Sequence, residues 1–142
     1  MAQYESDLKV SAEEMMDFLI QQSIAEIDAH TGKKPSEKNI EQGYRYTYHK
    51  KVHGSDCIVT AHAKADREKM ELKSEYDDRT IKAEMIYAIK ALGENSCHVV
   101  YTQNTSQETS SFLAKHIFQK QMKKQFGRVE KYIIEHREKE NV

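Results

Sequence analysis

The sequence predicts an α+β fold: a curved antiparallel sheet of about six strands, in the order β-α-β-β-β-β-β-α, packed on a long C-terminal helix. Three observations carry this. The hydrophobic period changes from 3.6 to 2 near Gly43 and returns to 3.6 after Thr105. The connections between the period-2 segments are too short to make anything but hairpins. Pairing those segments across their turns brings the apolar residues onto one face.

Composition bounds the rest. A chain of 142 residues is long enough to bury roughly 70% of its unfolded surface around one core, and a single domain over residues 1–142 is expected. With 38% apolar and 32% charged residues, one Pro and five Gly, the chain reads as globular rather than disordered or repetitive. No apolar run is long enough to span a bilayer, and the start, Met1-Ala2-Gln3-Tyr4-Glu5, has neither the basic region nor the apolar core of a signal peptide. A cytoplasmic location with no membrane partner is the expectation.

The net charge of −1 is unevenly spread. From Ser110 onward there are eight Lys/Arg against four Asp/Glu, and before it fourteen against nineteen. Nucleic-acid binding needs a concentrated basic surface. Here acids at Glu130, Glu135, Glu138 and Glu140 interrupt the basic segment, so a solvated helix face is the better reading and no nucleic-acid partner is expected. Cys57 and Cys97 form no Cys-x-x-Cys pair and have no His at ligand spacing, which excludes the usual zinc patterns.

Residues 4–10 alternate and read as a first strand. Ser11 with Glu14 three residues on is a capping box, and Ala12, Met16, Leu19, Ile20, Ser23, Ile27 and His30 then fall on one helical stripe. Gly32 stops the helix and Pro35 prevents its continuation. A further helical turn at about 36–42 precedes Gly43. Strands follow at about 43–52, 56–65, 70–77, 79–92 and 96–106.

A Gly54-Ser55 loop sets Tyr48, Tyr46 and Tyr44 opposite Ala61, Ala63 and Ala65. The next turns set Ala63 against Leu72, Val59 against Tyr76, Leu72 against Ala83 and Met70 against Met85. The last sets Ile89 against Val99 and Tyr87 against Tyr101. The opposite face carries Arg45, His49, Lys51, His62, Lys64, Glu71, Lys73, Glu75, Lys82, Glu84 and Lys90, a solvated surface. On this pairing Cys57 and Cys97 share the inner face three strands apart, roughly 14 Å, too far for a disulfide.

After Thr105 a helix is expected from an N-cap at Thr109 or Ser110 to about Lys139. Phe118, Met122, Phe126, Val129 and Ile133 form its apolar stripe. Gly127 inside it marks a bend or a close approach to the sheet.

The pieces Leu8-Lys9-Val10-Ser11-Ala12-Glu13, Thr31-Gly32-Lys33-Lys34, Gly43-Tyr44-Arg45-Tyr46 and Ser96-Cys97-His98-Val99-Val100-Tyr101-Thr102 carry a resemblance over nearly the whole chain. It resembles the START-like helix-grip superfamily of birch-pollen allergens and polyketide cyclase-like proteins, within it a bacterial branch of domains of unknown function. The resemblance implies strand order 1-6-5-4-3-2, the long helix across the concave face, and often a pocket between them. Its motifs are structural, and no catalytic motif comes with it.

The inner face combines small residues with hydroxyl-bearing ones, which is how ligand pockets are built. The expected pocket lining is Tyr44, Tyr46, Tyr48, Ala61, Ala63, Ser74, Tyr76, Met85, Tyr87 and Tyr101 from the sheet, with Phe118, Met122 and Phe126 from the last helix. Against this stands plain packing, with Ala admitting the helix and each hydroxyl at the rim. No Asp, Glu, His or Lys faces inward in the central strands, so no catalytic residue, metal site or cofactor is expected. His49 and His62, nearly opposite on the outer face, lack a carboxylate. Ile86, Ala88 and Val100 make a small outer apolar patch where another chain could meet this one. The expected function is non-catalytic binding of a small hydrophobic or amphipathic molecule by a monomer or weak homodimer. The alternative is an interaction protein with a packed core.

Overall fold

The computed structural model describes residues 1–106 and 111–140, with side chains described through Arg137. The elements are β1 (Ala2–Leu8), α1 (Ala12–Thr31), α2 (Glu37–Gln42), β2 (Tyr44–Val52), β3 (Ser55–Asp66), β4 (Glu71–Asp77), β5 (Lys82–Gly93), β6 (Ser96–Thr105) and α3 (Phe112–Glu140). Six antiparallel strands form one sheet in the order β1-β6-β5-β4-β3-β2. The α+β architecture and the long C-terminal helix are as the sequence predicts, and the strand order is the one the resemblance implies.

α1 begins at the predicted capping box. Ser11 Oγ accepts from the Glu14 amide at 3.0 Å and Glu14 Oε1 accepts from the Ser11 amide at 2.9 Å. It ends at Gly32, whose left-handed backbone (φ 72°) lets its amide reach the Asp28 carbonyl at 2.8 Å. Its buried face adds Met15 and Ile24 to the predicted stripe and leaves out the exposed His30, because α1 is covered by the sheet, by α2 and by α3. Met15, Met16, Ile20 and Ile27 are fully buried, each contributing about 1.5–3 kcal/mol of transfer free energy.

Three hairpin registers differ from the predicted ones. The β2–β3 turn is His53-Gly54, both with positive φ (51° and 81°), so Val52 faces Ser55 and Tyr44 faces Ala63 instead of Ala65. A two-residue hairpin loop with both residues left-handed matches the twist of the strands it joins. Ala65 faces Leu72 and Ala61 faces Tyr76, because the next turn takes four residues, organised by Asp66 Oδ1 accepting from the amides of Glu68 and Lys69. The β4–β5 turn also takes four residues. Asp78 Oδ1 accepts from the Thr80 and Ile81 amides, β5 starts at Lys82, and Leu72 faces Tyr87 instead of Ala83. The fourth hairpin is as predicted, with Ile89 opposite Val99 and Tyr87 opposite Tyr101. His49 faces Ile58, and Arg45 faces His62, so the two histidines are not opposed.

Each slip is by two or four residues, so every side chain keeps its predicted face. Val59, Ala61, Ala63, Leu72, Ile89 and Val99 are buried, while Ala83 and Met85 are half-buried. Cys57 and Cys97 are both free. The caps predicted at Thr109 or Ser110 lie outside the described residues; Ser111 Oγ accepts from the Ala114 amide at 3.0 Å in the manner of a cap. Gly127 faces outward with nothing within 4 Å of a Cβ built on it, so it makes no close approach to the sheet.

Polar ties fix the helices on this frame. Arg67, in the β3–β4 turn, donates to Glu41 of α2 at 2.6 Å and to Glu13 and Asp17 of α1 at 3.1 and 2.8 Å. These bonds, that to Glu41 foremost, raise the pKa of its guanidinium further. Arg137 of α3 donates two bonds to the Glu14 carboxylate at 2.7 and 2.5 Å. Glu130 accepts from the Lys9 amide at 2.7 Å, and Gln119 donates to the Gln3 carbonyl at 2.6 Å, which lays α3 along β1.

Candidate ligand-binding cleft

The two long helices run antiparallel. Arg137 near the end of α3 meets Glu14 near the start of α1, and Tyr132 packs edge-on against Phe18 with ring centroids 5.5 Å apart. Beyond that point their anchors differ. α3 follows the β1–β6 edge, with Phe118 stacked on Tyr101 at 6.2 Å and Phe126 against Tyr4 at 5.1 Å. α1 is held at the opposite side, where His30 stacks on Tyr48 at 3.9 Å and Tyr76 donates to Glu26 at 2.9 Å. The helices therefore part over β4 and β5. There the inner residues Ser74, Tyr76, Ala83, Met85 and Tyr87 are only half-buried, whereas Ala61, Ala63 and Ala65 of β3 are buried.

In the angle between the helices lies a recess of about 270 Å³, lined by Met15, Leu19 and Gln22 of α1, Tyr87 of β5, and Gln125, Phe126, Arg128 and Val129 of α3. Its floor is apolar and its rim polar, the arrangement small-molecule sites use to hold a body and orient a head group.

The expected lining residues fall into three places. Tyr87 and Phe126 line the recess, and Tyr101, Phe118 and Met122 pack behind it; Tyr87 and Tyr101 lie 4.7 Å apart, and Tyr101 donates to Gln103 at 3.0 Å. Ser74 and Met85 are paired neighbours in the gap where the helices part. Tyr44, Tyr46 and Tyr48 stack along β2 at about 6 Å intervals beside Tyr76, with Ala61 and Ala63 buried on the neighbouring strand. That last group converges on the end of α1 instead of the recess.

Burial pushes the hydroxyls of Tyr46 and Tyr87 up to about 12 and raises those of Tyr48, Tyr76 and Tyr101. All five are neutral near pH 7 and can orient a ligand by hydrogen bonding without serving as bases. Burial likewise pushes the Cys97 thiol up to about 11, which makes it a poor nucleophile.

Reading the strands alone missed the helix-borne residues. Glu26 and His30 stand four apart on α1, a spacing that places them side by side, and that pattern was visible in the sequence. Gln22, Gln125 and Arg128 carried no signal, since each looks like an ordinary solvated helix residue. Among the described residues no helix is long and apolar enough to cross a membrane.

A helix pair gripped by a six-stranded antiparallel sheet is a START-like, helix-grip fold. Residues 3–127 match the family described as a domain of unknown function, DUF3284, and the chain belongs to that family. None of the curated proteins matches it. Among solved structures it is similar to TTHA0849 from Thermus thermophilus (TM-score 0.59, 10% identity, 95% of this chain and 97% of that one). It is similar as well to a START superfamily protein from Mycobacterium smegmatis (0.55, 10%, 94% and 97%). A third is a norcoclaurine synthase point mutant from Thalictrum flavum in complex with a transition-state analogue (0.52, 12%, 95% and 94%). At these identities the likeness is one of fold.

Proposed function

We propose that the protein binds a small hydrophobic or amphipathic molecule between the sheet and the C-terminal helix, with α1 as the second wall, and does no chemistry on it. The observation that carries this reading is the recess itself, where Tyr87 and Phe126 meet three apolar side chains from α1 and α3. The half-buried inner residues Met85 and Ser74 extend the same surface toward solvent. The norcoclaurine synthase of the same fold, solved with a transition-state analogue, is a precedent for the fold holding a small organic molecule. The non-catalytic part rests on the absence of an acid–base pair among the residues lining the recess.

Native mass spectrometry of the purified protein, with titration of an apolar fluorescent probe, tests the reading. A retained small molecule or saturable probe binding that Val129→Phe abolishes is expected. No retained mass and no probe binding would leave the interaction-protein reading. One feature favours that alternative: Phe112, Leu113 and Ile117 at the start of α3 are 88%, 66% and 46% exposed, more apolar surface than one helix end ordinarily shows.

A further inference from the structure

Some long polar side chains around the helices are committed. Gln21 donates to Glu37, Gln119 to the Gln3 carbonyl, Arg67 to three carboxylates and Arg137 to Glu14. The four polar groups that line the recess, the Gln22 and Gln125 amides, the Arg128 guanidinium and the Tyr87 hydroxyl, make no hydrogen bond or ion pair among the described residues. A second recess between α1 and α3, toward Phe18 and Tyr132, is lined by the carboxylates of Glu14 and Asp17; the recess at Tyr87 has none. Its lining holds one cation and no carboxylate. The Glu26 carboxylate, whose field reaches Tyr87, is engaged by the Tyr76 hydroxyl.

We infer that the ligand is an amphipathic anion, a compact apolar body ending in a carboxylate or sulfonate-like group that Arg128 receives at the mouth of the recess. This rests on the proposed ligand-binding reading and assigns the head group within it. An apolar body lies on Met15, Leu19, Phe126 and Val129, all from the recess lining. A guanidinium offers a planar fork of donors that matches a carboxylate, and an amide on either side completes the oxygen's hydrogen bonding. A neutral ligand would leave that donor set unused. About 270 Å³ corresponds to a body on the order of ten to twenty non-hydrogen atoms, part of which stands in solvent.

Two probes that share their rings separate the head group from the body: the anion 1-anilinonaphthalene-8-sulfonate and neutral N-phenyl-1-naphthylamine. Arg128→Gln should weaken the sulfonate probe roughly tenfold or more and the neutral probe by less than about twofold. Arg128→Lys, which keeps the charge, should retain most of the anion's affinity. Lys131→Gln makes the same change in net charge on an exposed position outside the recess and should move neither probe by more than about twofold. Equal losses for both probes in Arg128→Gln, or a Lys131→Gln effect as large, would overturn the anionic head group and leave the cleft. Failure of both probes to bind the unmodified protein would overturn the cleft reading itself.

Discussion

Tyr76 donates its hydroxyl to a carboxylate oxygen of Glu26 at 2.9 Å, and this bond joins β4 to the second half of α1. Glu26 stays 44% exposed, so water replaces much of what the bond supplies. Tyr76→Phe should lower unfolding free energy by about 0.5–1.5 kcal/mol. Urea denaturation of Tyr76→Phe, Glu26→Gln and the double variant checks this, since additive losses would show the two side chains uncoupled.

Phe126 is 3% exposed and meets Tyr4, Tyr87 and Tyr101 with ring centroids 5.1 to 6.5 Å away. Phe126→Ala should cost about 3–5 kcal/mol, because three rigid rings cannot collapse into the space it leaves. An unchanged denaturation midpoint would mean that α3 does not hold the sheet.

The inner and outer faces were legible in the sequence because alternation has a period of two. Every register slip in this sheet, between Tyr44 and Ala65 as between Leu72 and Ala83, is even, so the faces survive the error. The registers depended on turn chemistry: His53 adopting a left-handed conformation, and Asp66 and Asp78 collecting two amides each. A histidine at positive φ carries little signal, whereas the Asx turns were there to be read. The recess was legible only in part, since three of its eight lining residues are polar helix positions whose role depends on how two helices part.

Glu14 serves twice, capping α1 through the Ser11 amide and receiving Arg137 from α3. The Arg137 guanidinium is the main cause holding its carboxyl below the usual range. A depressed carboxyl contributes stability that is present above its unfolded value of about 4.5 and is lost as pH falls through the folded one. Glu14→Gln should therefore cost about 1–2 kcal/mol at pH 7. It should also flatten the fall in stability below about pH 4.5, as measured by urea titration across pH 3–7.

Gly127 has nothing within 4 Å of where a Cβ would stand, and it lies inside a continuous helix without positive φ. Gly127→Ala should raise stability by about 0.5–1 kcal/mol, mostly by narrowing the unfolded ensemble. A loss of stability would place a neighbour against that face of α3.

Tyr46, Tyr48, Tyr76, Tyr87 and Tyr101 all have raised pKa values, with burial the leading cause in each. A folded value above the unfolded one, about 10, contributes stability that is complete below pH 10 and is lost as pH rises through the folded value. Stability should therefore fall steeply above about pH 10, with Tyr46 and Tyr87, at about 12, still protonated in the native state at pH 11. Absorbance at 295 nm should then show these phenols ionising together with the loss of helical circular dichroism, not before it. Early, reversible ionisation of all tyrosines in a protein that keeps its helix signal would mean that the inner face is open to water. Tyr87→Phe removes one raised phenol and should shift the alkaline transition upward, which assigns part of the effect to the residue that lines the recess.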